Sequence, residues 1–396
     1  MSVVGTESRT ASIETLLRRA AIPATARPVV DLRTRRPVVS KIITRDAAEP
    51  MDAVTIARTL NVMAAKGQPA VPVVFEVPIG TLLDLPTVGN RCEHPMIVSV
   101  AADRLLDHPA ESLRLVQRAR ELGWEVGLHG VGQSGTTLTA VALFEPSLIT
   151  LAPAMVADPT SPLSLESLQT VTSFRHATGA TVMAEMLDTP ASLQAAESLG
   201  ATIGRGRIMP QDGTALPAEL DYTLDLFVSP RRPGQRMTPY QISTQRHQSQ
   251  RAQQPLLDGI SRTIERAART SGQSSMLLTT FDHVRHLSPR VVQQYQDLAG
   301  CVELVMITAS GLRRAPLPGV SCVDLPRYDS LRREWTVLLL SPTSSVLLAA
   351  REVRRLTKQG EREFDYVLSY DRDLVTHAAR GLLTRLPKRV ARPTRP

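Results

Sequence analysis

Eight polar residues stand at or just beyond the ends of short apolar runs: Arg27, Lys41, Glu76, Ser99, His129, Thr150, Glu185 and Arg205. If those runs are strands of one sheet, these side chains gather at one edge. A hydrolytic centre with two hard divalent cations needs several oxygen ligands converging there, and it needs their negative charge. Only Glu76 and Glu185 are acidic, with Asp188 just beyond. Lys41, Arg205 and Arg27 oppose them, and an ammonium repels a dication. One neutral His129 does not replace the missing oxygen donors. The residue types therefore point away from metal-assisted hydrolysis. Two uses remain for the cations. They cradle a phosphate directly, as Arg can do bidentately, or Lys41 pairs with Glu185 or Glu76 as an internal salt bridge.

The elements that must position these residues alternate. The β-branched runs "RPVVDL", "PVVSKIITR", "VPVVFEVP", "PMIVSVAA", "EVGLHGVG", "LITLAPAMV", "TVMAEML" and "TIGRGRIM" are separated by amphipathic segments such as "DAVTIARTLNVMAAKG" and "AESLRLVQRARELG". Runs that are apolar throughout suit a parallel sheet buried on both faces. About eight strands with alternating helices predict an α/β fold closed as a (β/α)8 barrel over residues 1–228, with a doubly wound open sheet as the alternative. In both, chemistry sits at the C-terminal strand ends. Residues 229–255, rich in Pro, Gln, Arg and Ser without hydrophobic period, read as a linker. A smaller α/β domain is expected over 256–386. Its helices are "LLDGISRTIERAAR", "SPRVVQQYQDLAG" (N-capped by Ser288), "SSVLLAAREVRRL" and "RDLVTHAARGLLTRL", the last capped by Asp371 or Asp373. Its strands are "SMLLTTF", "VELVMITA", "VSCVDL", "EWTVLLL" and "FDYVLSYD".

Composition narrows the classes. The chain has 396 residues, 42% hydrophobic and 21% charged, which is enough to bury a large core. Its three cysteines, Cys92, Cys301 and Cys322, are far apart and fit neither a disulfide framework nor a zinc site. The expectation is a reducing cytoplasm, with no export signal and no membrane anchor. Aromatic residues are only 4%, which weakens stacking-based nucleic-acid binding. Of the net charge of +8, residues 1–212 contribute 19 basic against 21 acidic side chains, and the remainder 27 against 17. The basic tail 387–396 reads as a solvated end, with a polyanion-binding arm as the alternative.

Residues 26–210 resemble an EAL domain, the bacterial cyclic di-GMP phosphodiesterase family with a modified (β/α)8 barrel. The likeness rests on "RPVVDLRTRRPV", "RELGWEVGLHGVG", "PSLITLAPAMV" and the run from "HATGATVMAEMLD" to "TIGRGRIM". It implies that Lys41 occupies the place of the signature glutamate. Glu76 then stands for an asparagine ligand, and Ser99 for a glutamate. His129 and Gly130 stand for an aspartate pair, Thr150 and Ala152 for the Lys and Asp of a KID motif. Glu185 keeps its glutamate, Asp188 is the second acid of that motif, and Arg205 and Arg27 replace glutamines. The resemblance thus implies the fold but not the catalytic set, and the site is expected to be degenerate.

Residues 255–386 are similar to a DICT domain, a sensory α/β module. The matching residues include Phe281 and Asp282, Tyr295, Glu334 and Trp335, and Glu352. Phe281, Asp282, Glu334 and Trp335 are the candidate sensory residues. His283 and His286, three apart beside a loop, read as solvated or capping. The expected function is bacterial signalling by binding, with a catalytically inactive barrel and no metal or cofactor. The partners this allows are a nucleotide such as cyclic di-GMP held without metal, signalling proteins, and a second copy of the chain. Two alternatives are a residual phosphodiesterase using Glu76, Glu185, Asp188 and His129 with one metal, and a nucleic-acid-binding regulator working through the basic C-terminal half.

Overall fold

The computed structural model describes residues 13–46, 50–65, 71–88, 95–210, 237–312, 317–341, 343–353 and 362–386. Cys92, the first part of the expected linker and the basic tail lie outside the described residues.

The first unit is a closed eight-stranded barrel. Helix α1 (Ile13–Arg19) precedes an antiparallel pair, β1 (Ala24–Asp31) and β2 (Pro37–Thr44). The chain continues through α2 (Ala53–Ala65), β3 (Val73–Glu76), β4 (Met96–Ala101), α3 (Pro109–Glu121), β5 (Glu125–Val131), α4 (Gly135–Phe144) and β6 (Leu148–Leu151). Then come α5 (Pro153–Ala157), α6 (Pro162–Thr178), β7 (Thr181–Ala184), α7 (Pro190–Ser198) and β8 (Ile203–Gly204). Strands β2 to β8 pair in parallel, and β8 closes on β1 in antiparallel register, Val30 facing Gly204. The expected barrel is therefore present, and the open-sheet alternative is excluded.

The barrel interior follows from the two-residue period of strands. Val29, Val39, Val74, Ile97, Leu148, Met183 and Ile203 form one buried apolar cluster. Two residues further toward the mouth on each strand stand Lys41, Glu76, Ser99, Thr150, Glu185 and Arg205. On β1, which runs the opposite way, the matching position is Arg27, registered against Lys41. On β5 it is His129, two past Gly127, where an added Cβ would lie 3.2 Å from Leu148.

The second unit is a seven-stranded mixed sheet. Its elements are α8 (Pro239–Thr244), β9 (Gln250–Gln253), α9 (Gln254–Thr270), β10 (Met276–His283), α10 (Pro289–Cys301), β11 (Leu304–Ser310) and β12 (Ser321–Asp324). They are followed by β13 (Glu334–Leu340), β14 (Ser345–Val353), β15 (Glu363–Ser369) and α11 (Arg372–Leu383). The strand order is β12-β11-β10-β13-β14-β15-β9. Helices α9 and α10 cover one face; α8 and α11 cover the other, and α11 meets the barrel helices α3 and α4. Alternate residues serve the two faces: Leu277 belongs to the α9/α10 core, while Met276 and Leu278 join a core continuous with the barrel.

Two sequence readings are corrected. The stretch "SSVLLAAREV", expected to be helical, is strand β14, hydrogen-bonded between β13 and β15. The expected linker carries α8 and β9 from Met237 onward, with β9 paired to β15. The caps behave as read: Ser288 accepts from Val291 N, and Asp371 accepts from the amides of Asp373 and Leu374.

Candidate functional site

Each mouth residue reaches its place by strand alternation and barrel closure. At the centre, Lys41 is only 3% exposed. Its Nζ contacts Glu76 Oε2 and lies 2.9 Å from Glu185 Oε1. Arg205 Nη1 reaches the same Glu185 oxygen at 3.2 Å. On the other flank, His129 Nε2 is 3.7 Å from Glu76 Oε1, and its Nδ1 is 3.2 Å from Ser99 Oγ. Strand β5 turns away right after His129, because Gly130 and Gly132 take positive φ. At Gly132 a Cβ would lie 2.0 Å from Met155 Sδ, so only glycine fits.

The electrostatics follow from these contacts. Burial raises the Glu76 carboxyl, but Lys41, His129 and Arg205 outweigh it and hold the group below its ordinary value. Burial lowers His129, against the opposing pull of the Glu76 carboxylate. Thr150 Oγ1 is buried and has no hydrogen-bond partner among the described residues. Arg27 is exposed on the rim and has no ion pair among the described residues.

A divalent ion requires oxygens converging on one point. Here that point is held by the Lys41 ammonium, and both carboxylates are turned onto it. Asp188 is used elsewhere: it accepts from the Arg207 amide at 2.8 Å and pairs with Arg207 Nε at 3.2 Å, bracing the loop after β8. Among the described residues no group of three or more His, Cys, Asp or Glu side chains is arranged to hold a metal ion. The mouth does not fit the divalent metal that the family resemblance implies.

A second site lies at one end of the central strands of the sheet in the C-terminal unit. A cavity of about 190 Å³ is bordered by Phe281, Asp282, Glu334 and Trp335, and also by Asp258, Arg362 and Phe364. Thus all four sensory candidates meet at one place. Trp335 stacks edge-on to Phe364 with centroids 5.7 Å apart, and Phe281 does the same to Tyr295 at 6.0 Å. Asp282 Oδ2 accepts from Arg362 Nη2 at 3.1 Å, and its Oδ1 lies 3.2 Å from His286 Nε2. His283 accepts from the Arg285 amide, the capping role expected of it. Glu334 borders the cavity, but its carboxylate is spent on Thr238 Oγ1 and the Tyr240 amide. Sequence reading missed Arg362 and Asp258. Arg362 adjoins a Gln/Gly/Arg stretch with no pattern, and Asp258 is one acid on an amphipathic helix.

Comparison with known families agrees with this architecture. Residues 79–211 match the EAL domain, and residues 236–353 match DICT, described as a sensory domain in diguanylate cyclases and two-component systems. The chain therefore joins an EAL domain to a DICT sensory domain, the make-up of a signalling protein. The EAL match begins beyond β3, so Arg27, Lys41 and Glu76 are placed by barrel closure. No curated protein matches the chain.

Similar solved structures include the FimX EAL domain of Xanthomonas citri in complex with c-diGMP. It is 16% identical over 49% of this chain and 91% of that one, with TM-score 0.37. BlrP1 of Klebsiella pneumoniae, a calcium/cy-diGMP complex, is 14% identical over 48% of this chain and 55% of its own, TM-score 0.39. LapD of Vibrio cholerae, bound to c-di-GMP, is 14% identical over 49% and 55%, TM-score 0.39. At identities and TM-scores this low, the chemistry of this mouth has to be read from its own side chains. Among the described residues no helix is long and apolar enough to cross a membrane.

Proposed function

We propose that this protein signals by binding, with an EAL barrel that does not hydrolyse cyclic di-GMP and a DICT domain that receives the cue. The carrying observation is Lys41 Nζ held between Glu76 and Glu185. Without metal, no water is acidified for attack on a phosphodiester, and the displacement loses several kcal/mol of charge stabilisation. Arg27 at the rim makes no ion pair among the described residues, and Arg205 is partly exposed. These two guanidiniums are the groups we assign to metal-free contact with the phosphates of a cyclic dinucleotide. In the DICT domain, the small aromatic-walled cavity at Phe281 and Trp335 suits a single-ring ligand, since it is below the roughly 300–1,000 Å³ of drug-sized pockets. The setting we infer is the cytoplasm of a bacterium.

The test has two arms on the full chain. Incubation with cyclic di-GMP and either Mg2+ or Mn2+ is expected to yield no linear dinucleotide. Calorimetry in the presence of a chelator is expected to show binding that weakens in Arg27→Ala and Arg205→Ala. Product that disappears in Glu185→Ala would instead establish a phosphodiesterase. No heat at high micromolar nucleotide would remove cyclic di-GMP as the barrel's ligand.

A further inference from the structure

Where the two units meet, a cavity of about 320 Å³ opens between α3 of the barrel and α11 of the DICT domain. Its walls carry four guanidiniums, Arg114, Arg118, Arg120 and Arg380, against one carboxylate, Glu121, which is already hydrogen-bonded to Gln117. Two donors there lack acceptors among the described residues: Arg114 Nη2 and Arg120 Nε are buried and make no hydrogen bond. A buried guanidinium donor without an acceptor costs on the order of 1–3 kcal/mol, so such groups call for a partner. Burial and the neighbouring Arg380 charge also pull Arg120 down to about 10. Two acids, Glu145 and Glu125, oppose this shift, and Glu145 is taken by Arg380 Nη2 at 2.9 Å. Beside the cations the wall is apolar, with Leu113, Val116 and Phe144.

We propose that this crevice binds a small organic phosphate, its anion held by Arg114, Arg118 and Arg380 and its apolar body set beside Leu113. Guanidinium donors from several residues lining one cavity suit a phosphate dianion, which accepts from more than one of them. The ligand touches both units, so its occupancy couples the barrel to the sensor, and any cue that shifts their packing shifts its affinity equally. The site is independent of the barrel mouth and of the cavity at Trp335.

Calorimetry on the full chain in chloride buffer tests this with phenyl phosphate and with phenol as probes. Phenyl phosphate is expected to bind and phenol not to bind. Arg114→Met removes a side chain that makes no hydrogen bond within the described residues, so the fold is retained. Binding is expected to weaken by roughly tenfold to a hundredfold, the worth of a hydrogen bond to a charged group. Arg118→Gln, at an exposed position, is expected to weaken it in the same direction. Arg19→Met, the same charge change at an exposed position of α1, leaves binding unchanged. Equal affinity in wild type and Arg114→Met, equal loss in Arg19→Met, or phenol binding as tightly as its phosphate would each overturn the assignment. So would absence of heat at low-millimolar phenyl phosphate.

Discussion

At the barrel mouth, the Lys41 ammonium is 3% exposed and has two carboxylates in contact. A pair of this kind adds little net stability compared with an apolar filling, but removing one member strands the other charges. The informative substitution is therefore Lys41→Glu. It places a third carboxylate beside Glu76 and Glu185, with His129 Nε2 on the flank. Without metal, three acids repel, and the variant is expected to melt below wild type. With Mn2+ the same oxygens gain a cation to share, and the melting point is expected to rise. An ion at a hundredfold excess over its Kd contributes about 2.7 kcal/mol. Wild type is expected to show no such gain. Equal stabilisation of both proteins by Mn2+ in a thermal melt would mean that a metal site already exists, and the binding-only reading would fall.

At the level of elements, the docking of α8 onto the sheet depends on Glu334 at the head of β13. Its buried carboxyl takes the Thr238 hydroxyl and the Tyr240 amide at the start of that helix, and burial raises it to about 7. A carboxyl raised from an ordinary 4.5 binds its proton more tightly in the folded state. Its contribution is therefore fully present below about 4.5 and is lost as pH climbs to about 7. The loss is on the order of 3 kcal/mol. Glu334→Gln keeps an acceptor for Tyr240 and cannot ionise. Denaturant titrations from pH 4.5 to 7.5 are expected to show wild type losing stability relative to Glu334→Gln across that window; parallel curves would refute the buried-acid reading.

The same element shows why parts of the fold escape sequence reading. Helix α8 carries a capping box, Thr238 with Gln241, but its six residues hold no period to recognise. Six of the nine residues of strand β14 are Leu, Ala, Arg or Glu, which favour helix in isolation. It is a strand because the β13 and β15 edges take its backbone hydrogen bonds, a tertiary choice that propensity does not carry. The mouth was legible for the opposite reason. Once Val39 and Val74 face inward, the period of two obliges Lys41 and Glu76 to do so as well. What alternation leaves open is partner choice across the closed barrel: that Lys41 takes both acids, and that Asp188 turns to Arg207.

Across the whole molecule, α4 lies between the two units and its residues Thr137–Phe144 are buried all round. Its C-terminal carbonyls are capped from both sides. Arg120 of α3 donates to Phe144 O and Glu145 O, and Arg380 of α11 donates to Leu143 O. Cations at this end also complement the helix dipole. The apolar core runs without a break from Leu138 and Phe144 into Leu374, Ala378 and Leu382. Separating the units would expose this core and orphan those carbonyls, so the barrel and the DICT sheet are expected to unfold together. The two tryptophans of the chain report on them separately. Trp124 is buried in the barrel against Phe75, with its indole donating to Pro86 O, and Trp335 stands in β13 against Phe364. In Trp335→Phe the remaining fluorescence follows the barrel; in Trp124→Phe it follows the sheet. Each variant shifts its own midpoint, so each fluorescence curve is compared with far-UV circular dichroism of the same protein. Coincidence in both is the signature of one cooperative unit. Arg380→Met, which removes the donors to Leu143 O and to Glu145 Oε2, is expected to cost about 1–3 kcal/mol and to lower both midpoints by the same amount. A sheet transition that precedes the barrel transition, or an Arg380→Met effect confined to one tryptophan, would show that the two units are energetically separate.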